Sequence, residues 1–153
     1  MWDTLFGLTN AIAAVAWLVL ILAPRRPLLL SLILYAGIGL LCLIYTAVFV
    51  ALLAGWIDPV RDAAAPALGY SVKGLRAFFM SDGGIVVGWT HYLALDLFTG
   101  LWIARDGDAK GIGRFVQAPI LFATYMAGPF GLLIWLAVRE PAARRSSKQG
   151  SAR

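Results

Sequence analysis

Residues 28–54 contain no charged side chain, and this run constrains the fold more than any other feature of the sequence. About 20 apolar residues are enough for a helix to cross a bilayer. Three further runs reach that length, at residues 5–23, 84–104 and 118–138. Since 61% of the chain is apolar and only 14% is charged, the runs predict an integral membrane protein. The predicted fold is an all-α bundle of four transmembrane helices, with residues 1–140 forming one membrane domain.

The first run has some features of a signal peptide but lacks the decisive ones. No positive leader precedes it, and Arg25 and Arg26 follow it where a small-residue cleavage site would stand. We therefore predict that this run is a retained span. The lone cysteine, Cys42, lies in the second run and is predicted to serve packing.

The segment between the second and third runs is too long for a tight turn. Leu68, Val72, Leu75 and Phe79 recur in it at helical spacing, which predicts an interfacial amphipathic helix between spans 2 and 3. Two roles fit this helix. It is either a connector that rests on the headgroups or a lid over an entrance from the lipid phase.

The charge distribution indicates how the chain is oriented in a membrane rather than a site that binds nucleic acid. Residues 141–153 are predicted to be a disordered basic tail that directly follows a span, where basic residues contact anionic headgroups. With four spans, eight Lys and Arg residues fall on the side of the termini and five on the other side. The positive-inside rule then predicts a multi-pass membrane protein with both termini in the cytoplasm.

The third run carries two ionisable side chains, His91 and Asp96. A charged side chain at mid-membrane costs about 3 kcal/mol on insertion scales, so such groups usually face a bundle interior, a cavity or a proton path. Five positions separate the two residues, about 140° around a helix and about 7.5 Å along it, so they cannot pair directly. Each needs a partner elsewhere, and the candidates are the polar residues of the other spans: Thr9, Asn10, Tyr35, Tyr45, Thr46, Thr124 and Tyr125.

The fourth run contains Pro129 near its midpoint. Proline has no amide hydrogen, so a continuous helix would kink here and leave the carbonyl of Tyr125 without its partner. Ala123, Ala127 and Gly131 form a stripe of small residues that allows helices to approach closely. Simple packing and the shaping of a cavity both fit this pattern.

The string GWTHYLALDLFTGLWIARDG, the GIG turn after it and the ending MAGPFGLLIWLAVR resemble the neoxanthin-synthase-like membrane proteins of chloroplasts and their bacterial relatives. The plant member is named for abscisic acid deficiency, type four. The resemblance covers the membrane part of the chain and is densest over residues 84–139. The residues that match the family pattern are Trp89, His91, Tyr92, Asp96, Gly100, Trp102, Asp106, Gly107, Pro119, Gly128 and Pro129.

The resemblance implies an isomerase that opens a carotenoid epoxide to an allene and a tertiary alcohol. This conversion requires one proton delivered to oxygen and one removed from carbon, and neither metal nor cofactor. A carboxylic acid in an apolar bundle can keep its proton at neutral pH, and a neutral imidazole can accept one. We therefore expect Asp96 as acid and His91 as base, although the roles could be exchanged. The expected substrate-binding residues are Trp89, Tyr92, Thr99, Trp102, Tyr125 and Pro129.

Residue counts exclude several other kinds of site. A single histidine cannot build a multi-histidine di-iron site, and one cysteine cannot hold an iron–sulfur cluster. The second function class is a non-enzymatic pigment- or lipid-binding protein or assembly factor, in which His91 and Asp96 fix helix register. In either class the expected partners are the membrane and an apolar lipid or carotenoid, without nucleic acid. Whether the chain forms a homo-oligomer is left open by the sequence.

Overall fold

The computed structural model describes residues 1–58 and 71–150, and the side chains of residues 142–150 are not described. Every regular element in these residues is a helix, which confirms the predicted all-α class. The elements are α1 (Trp2–Leu22), α2 (Pro27–Leu32), a π-helical segment (Ile33–Gly39), α3 (Leu40–Leu53), α4 (Val72–Phe78), α5 (Asp82–Ala109), α6 (Arg114–Met126) and α7 (Gly128–Gly150).

Two of the described helices are long and apolar enough to cross a membrane, namely Trp2–Leu22 and the continuous helix Pro27–Leu53. Only 28% and 22% of their apolar windows are buried in the structure. The core helix of a soluble protein would be mostly covered, so the outward apolar surface supports a membrane protein. The predicted count of four such helices is not supported.

Helix α5 lies at the centre of the bundle and packs against α1, α3, α6 and α7. Close approach depends on glycine: a Cβ on Gly100 would lie 2.6 Å from the Cζ3 atom of the Trp17 ring in α1 and closer still to its neighbour Cη2. Gly37, in the π-helical segment, faces both Ala16 and Leu97. The absence of side chains at these two positions lets three helices meet, and the tight contact excludes larger residues there.

The helices α1 and α5 run in the same direction, which defines two ends of the bundle. At one end, Trp2 and Asp58 lie beside Gly83, whose backbone amide donates to the Asp58 carboxylate at 2.9 Å. At the other end, Arg25 donates to the carbonyl of Ala104 at 3.1 Å. We call these the Gly83 end and the Arg25 end. Helix α3 runs back between them, antiparallel to α1.

Residues 118–138, the fourth predicted span, do not form one continuous helix. Helix α6 starts at the Arg25 end, where Arg114 donates to the carbonyl of Ala23 at 2.6 Å, and it stops at Met126. Ala127 is extended (φ −157°, ψ 91°), and α7 then returns to the Arg25 end, where Arg139 bonds Asp106 at 2.7 Å. The two helices form a hairpin, which we call the α6–α7 hairpin.

The residues at the tip explain why the chain turns back. Pro129 does not kink a continuous helix, as the sequence predicted, but lies in the first turn of α7, where a missing amide hydrogen costs nothing. Gly131 packs directly on Thr124 of α6, with room for no side chain between them. The small-residue stripe therefore serves the close contact of the two hairpin arms.

The predicted interfacial helix is present over Val72–Phe78, as α4. Ser71 caps it by accepting a hydrogen bond from the amide of Gly74 at 3.0 Å. Leu68 lies outside the described residues, and the position of α4 on a membrane surface stays a prediction. The predicted disordered tail differs from the structure, in which α7 continues through Pro141 to Gly150. Residues 142–149 include Ala, Arg, Lys and Gln, which favour helix.

Candidate functional site

His91 is exposed on α5 and lies beside Tyr45 of α3. Its ring centroid is 5.5 Å from that of Tyr45, and Tyr45 stacks on Phe49 at 5.5 Å. The contacts continue from Phe49 to Phe78 at 6.3 Å and from Phe78 to Phe79 at 5.5 Å. We call these five residues the aromatic row. It joins the candidate base to α4 at the Gly83 end.

Asp96 lies in the middle of α5 and is half-buried by the tip of the α6–α7 hairpin. Its carboxylate interacts with the backbone amide of Gly128, the first residue of α7. A Cβ on Gly128 would lie 2.5 Å from the Asp96 Cγ, so only glycine leaves room for the carboxylate. A helix N-terminus carries partial positive charge, so a negative charge on Asp96 is favoured beside the start of α7.

The two ionisable residues have different partners, and the hydrogen bonds of the described residues do not join them. Tyr92 and Leu95 lie between them around α5, and their exposed fractions are 60% and 49%. Trp89 extends this surface toward the Gly83 end with 45% exposure. We call the surface formed by Trp89, Tyr92 and Leu95, with His91 and Asp96 at its edges, the Tyr92 face.

Trp89 is held by α1 rather than free to move. Its indole Nε1 donates to the Asn10 Oδ1 at 3.1 Å, and its ring lies 5.7 Å from that of Phe6. Asn10 was a candidate partner of His91 or Asp96, and its amide instead orients this tryptophan. The α6–α7 hairpin reaches only to the level of Asp96, so Trp89 and Tyr92 remain uncovered between that level and the Gly83 end.

Of the other four predicted substrate-binding residues, Thr99 and Pro129 border the Tyr92 face, whereas Trp102 and Tyr125 contact residues outside it. Thr99 donates to the carbonyl of Leu95 at 2.9 Å, within its own helix. Trp102 lies under the guanidinium of Arg139 at 5.5 Å, and Tyr125 packs on Trp17 at 5.7 Å. Pro129 is exposed at the hairpin tip, next to Gly128 and hence near Asp96.

Sequence reasoning placed Asp106 in the family pattern but assigned it no role. Its carboxylate accepts hydrogen bonds from Arg139 (2.7 and 3.1 Å), Lys110 (2.6 Å) and the indole of Trp135 (3.1 Å). The hydrogen bonds from Arg139, and next those from Lys110, lower the pKa of Asp106 to about 2, although burial opposes the shift. One signal was available, because Trp135 and Arg139 are four positions apart and share a helix face.

Gln117 is a second polar anchor at the Arg25 end, and it is completely buried. It donates to the carbonyl of Ile112 at 2.6 Å and to the Asp108 carboxylate at 3.2 Å, and it accepts from Arg25. Arg25 also pairs with Asp108 at 2.7 Å. These contacts tie the turn between α5 and α6 to the end of α1, which fixes where the hairpin begins.

A family model described as ABA4-like, ABA DEFICIENT 4-like, matches residues 4–135. The chain belongs to the ABA4-like family. The expectation drawn from the GWTHYLALDLFTGLWIARDG string is thereby confirmed. The ABA4-like match spans α1 to Trp135 and includes the Tyr92 face and the hairpin tip. No curated protein and no solved structure matches the chain.

The contact between Asp96 and the hairpin tip leads to a first prediction. Gly128→Ala should displace the carboxylate and lower the free energy of unfolding by about 1 kcal/mol, the usual value of a lost N-cap. In an Asp96→Ala background the same change should cost much less, because no carboxylate remains to displace. Thermal unfolding in mild detergent measures all four proteins of this double-mutant cycle. Additive effects would show that Asp96 does not stabilise α7.

Proposed function

We propose that this ABA4-like protein is a multi-pass membrane protein that isomerises the epoxide of a carotenoid or related isoprenoid lipid without a cofactor. The observation that carries the proposal is the Tyr92 face: an exposed, largely aromatic surface on α5, with one ionisable residue at each edge. Membership of the family supports a carotenoid-related role. The apolar outward surface of the bundle supports a substrate that arrives from the bilayer.

The reaction needs only two proton transfers. Asp96 gives a proton to the epoxide oxygen as the bond from that oxygen to one ring carbon breaks. His91 removes the hydrogen of the adjacent vinylic carbon, and the electron pair of that bond forms the second double bond of the allene. The oxygen stays on the other ring carbon as a tertiary alcohol. Return of the proton from His91 to Asp96 restores both groups, so the conversion is an isomerisation with no net redox change.

The partners of the two residues suit these roles. Donation of its proton leaves Asp96 negatively charged, and the N-terminus of α7 at Gly128 favours that charge. His91 sits against Tyr45 in the aromatic row, where flat rings offer stacking surface to a polyene. Bound across Tyr92 and Leu95, a polyene end group would meet one ionisable residue on each side.

The proposal is tested in a host that accumulates epoxy-carotenoids, by chromatography of the pigments. The wild type should produce a new isomeric pigment, and Asp96→Asn and His91→Ala should each reduce it at least 100-fold at equal protein levels. Asp3→Asn, a change of an exposed carboxylate in α1, should leave the yield unchanged. Full conversion by either site variant would remove that residue from the mechanism, and absence of product with well-expressed wild type would reject these substrates.

The second candidate is a non-enzymatic pigment- or lipid-binding protein, and one observation favours it. His91 and Asp96 each have a structural partner, Tyr45 and Gly128, and so could serve packing alone. A binding protein purified from the same host would carry unchanged pigment, and Asp96→Asn would retain the colour. Under the enzyme proposal, the bound fraction of the wild type contains the isomerised product.

The aromatic row also bears on the lid hypothesis for α4. Phe79 lies directly on Gly88, one turn before His91, and Phe78 contacts Phe49. If α4 gates access along the row, alanine at both phenylalanines changes conversion without changing folding. Unchanged conversion would leave α4 as a connector.

A further inference from the structure

The α6–α7 hairpin begins and ends at the same end of the bundle. Arg114, at the start of α6, binds the carbonyls of α1 at the Arg25 end, and Arg139 of α7 binds Asp106 at that end. The tip at Gly128 lies beside Asp96, in the middle of α5. With 13 residues, α6 is about 20 Å long, less than the roughly 30 Å of a bilayer core. The hairpin therefore reaches only halfway along the bundle.

The outer surface of the hairpin is apolar, so water is an unfavourable neighbour for it. Phe122 and Met126 are exposed on α6, and Phe130 and Leu133 are exposed on α7. The backbone at the tip is extended only at Ala127, and membranes tolerate such backbone where its polar groups keep hydrogen bonds. The amide of Ala127 donates to the carbonyl of Ala123 at 2.9 Å, and its carbonyl accepts from the amide of Gly131 at 3.1 Å.

We infer that α6 and α7 form a re-entrant hairpin that enters one lipid leaflet from the Arg25 end and leaves on the same side. The chain then has three crossing helices, α1, the helix Pro27–Leu53 and α5, and its termini lie on opposite sides of the membrane. The partner of the hairpin surface is the acyl-chain region of one leaflet. This topology replaces the predicted arrangement, in which both termini share a side, and does not rest on the proposed isomerase activity.

The charge distribution supports the inference independently of the packing. Arg25, Arg26, the three basic residues over 105–114 and Arg139 all belong to the Arg25 end, and four more follow Arg139 in the chain. Ten of the thirteen Lys and Arg residues are thus assigned to one side, against three in the stretch that joins α3 to α5. The four-span arrangement divides them eight to five. Positive residues collect on the cytoplasmic side, so the Arg25 end and the C-terminus are cytoplasmic.

The test uses the full-length chain in a Cys42→Ser background, with one cysteine introduced at a time. Asp3→Cys reports the N-terminus, Gly113→Cys reports the turn before α6, where added atoms meet open space, and Ser151→Cys reports the C-terminus. Each is labelled with a membrane-impermeant maleimide in vesicles of both orientations. The inference requires Gly113→Cys and Ser151→Cys to label from one side and Asp3→Cys from the other.

Two results would overturn the inference. Labelling of Asp3→Cys and Ser151→Cys from one side, with Gly113→Cys labelled from the other, would mean that the hairpin opens into a full span. Labelling of all three from one side would mean that α5 does not cross. A cysteine at Phe130, near the tip, provides a second measurement. It should resist the impermeant reagent from both sides and react once detergent dissolves the membrane.

Discussion

Alanine in place of Gly131 is expected to force the arms of the α6–α7 hairpin apart and to lower the free energy of unfolding by about 3 kcal/mol. A Cβ at this position would lie 2.5 Å from the Thr124 Cα and overlap the backbone nitrogen of the same residue. Backbone atoms in a helix cannot swing aside as a side chain can, so the strain is relieved only by moving α7 as a whole. Overpacking of this kind typically costs 1 to 3 kcal/mol, roughly, and occasionally more.

The matched control for this change is Gly7→Ala, also within a helix. Gly7 is exposed on α1, and an added Cβ meets nothing within 4 Å. Alanine there should stabilise the protein by up to about 1 kcal/mol, because glycine weakens a helix interior. Thermal unfolding of both variants in the same detergent makes the comparison. If Gly131→Ala unfolds at the temperature of the control, the two arms are not in direct contact.

The apolar runs predicted the first three long helices well, because the preference of a segment for lipid depends mainly on its own residues. The run at 28–54 corresponds to the helix Pro27–Leu53, and the run at 84–104 lies within α5. What composition cannot show is whether a helix crosses or turns back, since residues 118–138 are apolar in either case. The turn depends on tertiary contacts, those of Gly131 with Thr124 in the hairpin and of Gly128 with Asp96 in α5.

The candidate site was predictable in its residue types and not in its partners. The polarity of His91 and Asp96 in an apolar run indicated that each needs a partner, and the sequence offered several. The partner of Asp96 is instead the backbone amide of Gly128, and a backbone amide cannot be recognised as a partner from the residue types in the sequence. The division of Lys and Arg between the two sides was a usable signal for the hairpin, because ten to three satisfies the positive-inside rule better than eight to five.

The Asp106 cluster holds α7 against α5, and its removal should open the Arg25 end of the bundle. Asp106→Asn is expected to lower the free energy of unfolding by about 2 kcal/mol, because Arg139 and Lys110 then keep their charges without a partner. The carboxylate is only 12% exposed, so water replaces little of the lost interaction. Asp3→Asn, at an exposed position, should change stability by less than about 0.5 kcal/mol.

The effect of Asp106 should depend on pH in a definite direction. The hydrogen bonds from Arg139 and Lys110 hold its pKa at about 2 in the folded protein, whereas an unfolded aspartate has a pKa of about 3.9. Between these values the unfolded chain binds the proton and the folded chain does not. The stabilisation is therefore complete above about pH 5 and is lost as the pH falls toward 2. The free energies of unfolding of wild type and Asp106→Asn should differ fully at pH 7, by about half as much at pH 3, and converge below about pH 2. A difference that stays constant over this range would mean that charge on Asp106 does not hold α7 in place.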